Sequence, residues 1–135
     1  MRVLVYVLDS CSLIHLEHRS DLKKLPPVDS RLFVPHRVAR EVNKPRTRLH
    51  TWLKKHPHVV TQFVGDEGHL YLLFLRERLD DGEAAALAIA EQRNATLVTD
   101  DKAARALAGQ RQVRAIPTTT LIKDVVPQQG KFNLT

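Results

Sequence analysis

The stretch ATLVTDD, residues 95–101, begins as a short buried strand and ends in two adjacent aspartates. Its apolar and β-branched residues favour a strand, and Asp100 and Asp101 follow that strand directly. In open α/β sheets the functional crevice lies outside the carboxyl ends of the strands. The two carboxylates repel each other at this position, so something at the end of the strand must offset their charge.

Four other segments share this strand pattern, and helical patterns separate them. The near-continuous apolar run RVLVYVLD is typical of a strand buried on both faces of a parallel sheet. Pro35 is predicted to begin the first helix and Pro45 to stop it. The predicted strands are 2–9, 31–35, 58–64, 95–99 and 113–117, and the predicted helices are 35–45, 46–56, 69–79, 83–93 and 102–109. This alternation predicts one parallel α/β domain with right-handed crossovers.

The composition narrows the class of protein. The 135 residues carry a formal net charge of +6, and the sequence pI is about 9.8. This balance favours an anionic partner, nucleic acid first, although a solvated basic surface would give the same charge. No apolar run reaches the roughly 18 residues of a membrane span, and the single Cys11 excludes an internal disulfide. We therefore expect a cytoplasmic protein that has no membrane partner.

Three more acids are placed to join the aspartate pair. Asp9 ends the first predicted strand, Glu41 lies on or beside the apolar face of the helix after Pro35, and Glu83 opens the alanine-rich helix. Each has a structural alternative, because Glu41 could form an ordinary ion pair and acids suit the first turn of a helix. Asp81 and Asp101 are in addition candidate N-caps. The functional hypothesis therefore depends on the joint placement of the acids.

Converging carboxylates need a cation. Two unit charges 4 Å apart repel by about 4 kcal/mol at an effective dielectric constant near 20. Oxygen-only ligands select hard ions, so Mg²⁺ or Mn²⁺ is the expected occupant. A divalent ion beside a basic surface predicts metal-dependent hydrolysis of a phosphodiester.

Three stretches of the sequence resemble, in the same order, four motifs of the PIN domain family, and the resemblance covers roughly residues 3–126. VLDSCSLIHL (7–16) resembles the family's opening strand–aspartate motif. VPHRVAREV (34–42) resembles its second motif, a proline-started helix that carries a glutamate. DDGEAAALAIAEQRNATLVTDDKAARALA (80–108) resembles the third and fourth motifs, with Gly-Glu in place of a helix aspartate.

The resemblance assigns roles to individual residues. The implied catalytic acids and metal ligands are Asp9, Glu41, Glu83 and Asp101, with Asp100 as a further metal ligand. Which of the two adjacent aspartates lies closer to the metal is left open. Ser10 and Thr99 are implied supporting hydroxyls. Cys11 departs from the Ser or Asn that the family often has two residues after the first aspartate.

The resemblance also implies a fold and an activity. The fold is a three-layer α/β/α sandwich with a central parallel sheet, in which the first and fourth strands are adjacent. The activity is that of an Mg²⁺- or Mn²⁺-dependent ribonuclease, of the kind that serves as the toxin of a toxin–antitoxin pair. Such proteins form homodimers and bind a small antitoxin. The nuclease domain would span residues 1–126, with a C-terminal tail at 127–135.

Basic side chains near these acids are candidate RNA contacts, although a solvated helical face is the alternative. They are Arg37, Arg40, Lys44, Arg46, Arg48, Lys102 and Arg105. The single Trp52 is expected in the core or an interface, and the run LYLLFL (70–75) in the core or a dimer interface.

Two other functions compete with the nuclease. An inactive RNA-binding module would share the basic surface, but it would not need acids that repel phosphate. Receiver and haloacid-dehalogenase proteins also place acids at strand ends, but Cys11 stands where the latter would have a second aspartate. Receiver domains place their paired acids near the first strand and not the fourth.

Overall fold

Five parallel strands form the central sheet of the computed structural model, which describes residues 4–25 and 31–124. The strands are β1 (Tyr6–Leu8), β2 (Leu32–Pro35), β3 (Val60–Thr61), β4 (Thr96–Val98) and β5 (Ala115–Ile116). Their order in the sheet is β3-β2-β1-β4-β5, and every neighbouring pair is parallel. Tyr6 of β1 lies opposite Leu32 on one side and Thr96 on the other. The first and fourth strands are therefore adjacent, as expected.

Helices connect the strands. They are α1 (Ser10–His18), α2 (His36–Val42), α3 (Arg48–Lys55), α4 (Glu67–Arg76), α5 (Asp81–Arg93) and α6 (Lys102–Gln110), and residues 118–124 are also helical. Short 3-10 turns occupy Leu22–Lys24 and Pro57–Val59. Among the described residues, no helix has the length and apolar content to cross a membrane.

The sheet separates two hydrophobic clusters, because successive strand residues point to opposite faces. Tyr6 and Leu8 belong to a cluster built with α1, α2 and α3. Val7 and Leu97 belong to a second cluster built with α4, α5 and α6. Helix α5 is buried at every position from 82 to 90, and its alanines allow that close packing. The three-layer α/β/α sandwich is confirmed.

All five predicted strands exist, and the five predicted helices form with shifted ends. Helix α6 runs one residue past Gly109, where we expected it to end. Helix α1 and the helical segment 118–124 were not predicted. Trp52 is buried as expected, and the run LYLLFL divides between buried Tyr71 and Phe74 and exposed Leu72 and Leu73. The predicted tail, 127–135, lies outside the described residues.

Candidate active site

The acids meet at the switch point of the sheet. Strands β1 and β4 are neighbours, and the chain leaves β1 for the helices of one layer and β4 for those of the other. Asp9 directly follows β1, and Thr99, Asp100 and Asp101 directly follow β4. A crevice at such a point is where doubly wound sheets bind ligands.

Asp9 is fully buried and begins helix α1 as its N-cap. Its Oδ1 accepts a hydrogen bond of 2.9 Å from the Ser12 amide. Its Oδ2 is also buried but has no hydrogen-bond partner. Burial raises the pKa of Asp9, and the hydroxyl of Thr99 and the amide and hydroxyl of Ser12 oppose that rise. A buried carboxylate oxygen without a partner is costly, and Oδ2 is therefore an acceptor whose capacity is unused.

The first turn of α5 carries a capping box. The Asp80 side chain accepts from the Glu83 amide at 2.8 Å, and Glu83 Oε1 accepts from the Asp80 amide at 3.1 Å. The N-cap is thus Asp80, and the prediction of Asp81 was wrong by one residue. Asp81 instead accepts from Arg37 Nε at 2.7 Å and from the Tyr71 hydroxyl at 2.6 Å.

Glu83 stands among other negative charges. It is buried, with 8% of its surface exposed. Burial is the largest cause that raises its pKa to about 7, and the charges of Asp80, Asp101 and Asp9 raise it further. The hydrogen bond from the Asp80 amide opposes them. Glu83 therefore lies near enough to Asp9 and Asp101 for their charges to act on it.

Glu41 joins the site through Ser10. The Ser10 hydroxyl donates a hydrogen bond of 2.7 Å to Glu41 Oε1. Glu41 is exposed as a whole residue, although we expected it on or beside the inward face. A Cβ atom on Gly82 would lie 2.7 Å from Ser10 Oγ and 3.5 Å from Glu41 Oε1. The glycine therefore permits the start of α5 to approach the Ser10–Glu41 pair.

The two adjacent aspartates have different surroundings. Asp101 is the N-cap of α6, as one alternative predicted, and its Oδ2 accepts from the Ala104 amide at 2.8 Å. Asp100 Oδ1 accepts from the Thr118 amide at 2.8 Å, and its Oδ2 accepts from the Thr118 hydroxyl at 2.9 Å. His15 Nδ1 also lies 2.8 Å from that Oδ2. Both oxygens of Asp100 are thus engaged in holding α1 and the segment 118–124 to the end of β4.

The pKa of Asp100 agrees with this structural role. Burial raises it, but hydrogen bonds from His15 and Thr118 outweigh burial and hold the pKa below its usual value. An ionised carboxylate only accepts hydrogen bonds, so His15 Nδ1 carries the proton of that contact.

The side chains present suit a hard cation by their chemistry. Carboxylate and hydroxyl oxygens are the donors that Mg²⁺ and Mn²⁺ prefer, and the unpartnered Oδ2 of Asp9 is an acceptor such an ion would satisfy. The carboxylates are not preassembled, because within 4–25 and 31–124 no three His, Cys, Asp or Glu side chains form a metal-holding group.

The basic candidates divide into two groups. Arg37 and Arg40 line a cleft of about 450 Å³ with Glu41 and the two aspartates at the start of α5. Lys102 is exposed beside the acids. Arg105 is partly buried, and its Nη1 donates to the Thr99 carbonyl at 3.0 Å.

The second basic group lies elsewhere. Lys44, Arg46 and Arg48 are exposed in and after the connection from α2 to α3. Arg48 Nη1 donates to the Ser20 hydroxyl at 2.6 Å, at the far end of α1 from Asp9. The predicted basic stretch is therefore not one surface around the acids.

Sequence reasoning missed three side chains of this region. The D-x-x-E spacing of a capping box could have identified Asp80. His15 and Thr118 carry no local signal, because their contacts to Asp100 join positions 85 and 18 residues apart.

Comparison with known proteins agrees with this geometry. A family model described as "DUF3368: PIN domain" matches residues 5–130. A search of the curated proteins found no match to this sequence.

Several solved structures share the fold. PAE2754 from Pyrobaculum aerophilum is 18% identical, with 92% of this chain and 98% of that chain covered and a TM-score of 0.59. VapBC2 from Rickettsia felis, bound to a DNA fragment from its promoter, is 12% identical, with coverages of 84% and 98% and a TM-score of 0.57. A toxin–antitoxin complex from Klebsiella pneumoniae is 19% identical, with coverages of 75% and 90% and a TM-score of 0.53. At these identities the likeness establishes the fold alone.

Proposed function

Because the chain belongs to the PIN-domain family, a family of nucleases that generally use divalent metals, we propose that it is an endoribonuclease that hydrolyses RNA phosphodiester bonds with Mg²⁺ or Mn²⁺. The observation that carries the proposal is the buried Asp9 oxygen without a partner, beside the mutually repelling carboxylates of Glu83 and Asp101. All three acids also cap helices, but within the described residues none of them has a basic side chain that would offset its charge.

The acids have distinct parts in this proposal. Asp9, Glu83 and Asp101 would hold the ion, which supplies Lewis-acid chemistry for hydrolysis. Glu41 would complete the set from the position that the Ser10 hydroxyl fixes. The Thr99 hydroxyl accepts from the Asp101 amide at 3.2 Å and so orients the end of β4.

Of the two adjacent aspartates, Asp101 is the proposed ligand. Both oxygens of Asp100 already accept hydrogen bonds from Thr118, and one of them also contacts His15. Asp101 is less engaged, since its carboxylate accepts from the Ala104 amide through Oδ2.

The basic residues nearest the acids would hold the RNA strand. Arg37, Arg40, Lys102 and Arg105 stand around the acidic crevice. Cations there would neutralise the phosphates on either side of the scissile bond, which the carboxylates alone would repel.

The biological role we propose is that of a toxin held in check by a small antitoxin, in the cytoplasm. Support comes from the toxin–antitoxin complexes among the structurally similar proteins. A homodimer is part of this proposal, and the exposed Leu72 and Leu73 on α4 are apolar side chains that such an interface would cover.

Cleavage of a single-stranded RNA by the purified protein tests the nuclease. We expect cleavage with Mg²⁺ or Mn²⁺, none with EDTA, and none from Asp9→Asn or Glu41→Gln in either metal. Glu77→Gln, an exposed glutamate just after α4, is the matched control and should cleave like the parent. If Asp9→Asn cleaves at the parent rate, the assigned site is wrong.

The same experiment addresses a second function. An inactive PIN-fold RNA-binding module is the alternative, and it would rest on the lack of a preassembled group of three metal-ligating side chains within the described residues. Tight RNA binding without cleavage in any metal would establish that alternative.

A further inference from the structure

A groove of about 730 Å³ lies between the end of α1 and helix α3. Leu22, Leu25 and Trp52 line it with apolar surface, and Trp52 itself is only 6% exposed. Nothing in the proposed reaction uses this groove.

The polar lining of the groove is strongly cationic. Its charged side chains are Lys23, Arg46, Arg48, Lys55 and Glu17. Lys23, Arg46 and Lys55 are exposed and form no ion pair with any residue in the described part of the chain. The one acid, Glu17, already accepts from the Leu49 amide at 2.9 Å. The four cations outnumber the one acid of the lining, so the groove presents an excess of positive charge.

The groove lies one helix length from the candidate active site. Helix α1 has nine residues, with Asp9 at its start and the groove residues Glu17 and Ser20 at its end. At about 1.5 Å per residue the two sites are roughly 13 Å apart along the helix. The exposed Arg40 and Lys44 lie on the connection between them.

We propose that this groove binds the single-stranded RNA that flanks the cleavage position, an inference that rests on the proposed ribonuclease function. Stacked nucleotides rise about 3.4 Å each, so the groove receives the strand about four nucleotides away from the scissile phosphate. The cations pair with phosphates, and the apolar surface offers contact to bases. Efficient substrates must therefore extend several nucleotides past the cut.

Nucleic acid fits this groove better than an acidic protein segment because the cations of the groove are part of a longer series. Along the chain, Arg40 of the acidic cleft, the exposed Lys44 and Arg46 of the groove follow one another within seven residues. A nucleic-acid strand carries phosphates along its whole length and would contact all of these cations. A protein segment seated in the groove would contact only the cations of the groove.

The test compares RNA lengths. The variant combines Lys23→Gln, Arg46→Gln and Lys55→Gln, and the control combines Arg76→Gln, Arg78→Gln and Lys123→Gln, three exposed cations that line no part of the groove. The kcat/KM is measured on RNAs of about 6 and about 20 nucleotides. We expect the groove variant to lose about tenfold on the long RNA and nothing on the short one, while the control changes neither. Equal kcat/KM values on the long RNA, or an equal loss on both lengths, would overturn the inference.

A binding measurement keeps the inference testable even if the protein cleaves nothing. The long RNA and an acidic, leucine-containing peptide of the same charge are titrated into metal-free protein at several salt concentrations. We expect the groove variant to reduce the salt slope of RNA binding by about 0.7 per cation removed. A reduced salt slope without any cleavage would support the groove as an RNA site and reject the nuclease function. Peptide binding that depends on the groove, with unchanged RNA binding, would reject the groove as an RNA site.

Discussion

Replacing Glu83 by glutamine should stabilise the metal-free protein at neutral pH. The glutamine Oε1 can still accept from the Asp80 amide, so the capping box survives. What disappears is a buried negative charge beside Asp80, Asp101 and Asp9. Like charges that no cation compensates destabilise the fold, and removing one of them trades the proposed activity for stability.

The size of the effect follows from the pKa of Glu83. Folding raises it from 4.5 to about 7, and each unit corresponds to about 1.4 kcal/mol. The folded state binds the proton more tightly, so the parent's free energy of unfolding falls as pH rises from about 4.5 through 7, by at most about 3.5 kcal/mol. At pH 8 we expect Glu83→Gln to be about 2–3 kcal/mol more stable than the parent, and at pH 4 equal to it.

Urea unfolding in EDTA at pH 4, 6 and 8 measures this difference. Glu77→Gln is the control, because it removes an exposed carboxylate away from the acidic cluster, and it should leave stability unchanged at every pH. A Glu83→Gln protein that is no more stable than the parent at pH 8, or that differs by the same amount at all three pH values, would refute the reasoning.

Two further substitutions test the packing that supports the site. Gly82→Ala brings a Cβ to 2.7 Å from Ser10 Oγ, so overpacking of about 1–3 kcal/mol should exceed the helix-propensity gain of about 1 kcal/mol and lower the melting temperature. Gly109→Ala is the control: its Cβ would meet no atom within 4 Å, so this variant should raise the melting temperature. A Gly82→Ala protein as stable as the parent would contradict the close approach of Gly82 to Ser10. Arg93→Met leaves the fully buried Glu67 without its guanidinium, which donates at 2.7 and 3.0 Å, and should cost about 3–5 kcal/mol in urea unfolding; a loss below about 1 kcal/mol would show that the pair is not needed.

The parts of the fold that sequence could predict are those that local pattern determines. Each strand is a short apolar run. The alternation of strands with helices is almost sufficient on its own to predict a parallel sheet. Helix α1 escaped prediction because its first turn is Ser-Cys-Ser, which carries no apolar stripe. The residue that marks the start of this helix is Asp9. The sequence suggests Asp9 as a metal ligand, but its side chain is also the N-cap of the helix.

Contacts between distant elements set the limits of prediction at the site. The D-x-x-E spacing could have separated Asp80 from the adjacent Asp81, but only the structure shows that Asp81 contacts Arg37 and Tyr71. Likewise the pattern places two aspartates after β4, but only the structure shows that both oxygens of Asp100 accept hydrogen bonds from Thr118. The roles of the acids therefore depend on partners that the sequence places far away.

Binding of Mn²⁺ to the metal-free protein tests the central claim most directly, because it does not depend on knowing the RNA target. Calorimetric titration and thermal unfolding would be run on the parent and on Asp9→Asn. We expect saturable binding and a higher melting temperature for the parent. We expect neither for the variant, in which one carboxylate oxygen of Asp9 is replaced by an amide nitrogen. Equal binding to both proteins, or no binding to the parent at millimolar Mn²⁺, would contradict the claim that these carboxylates converge to hold a metal.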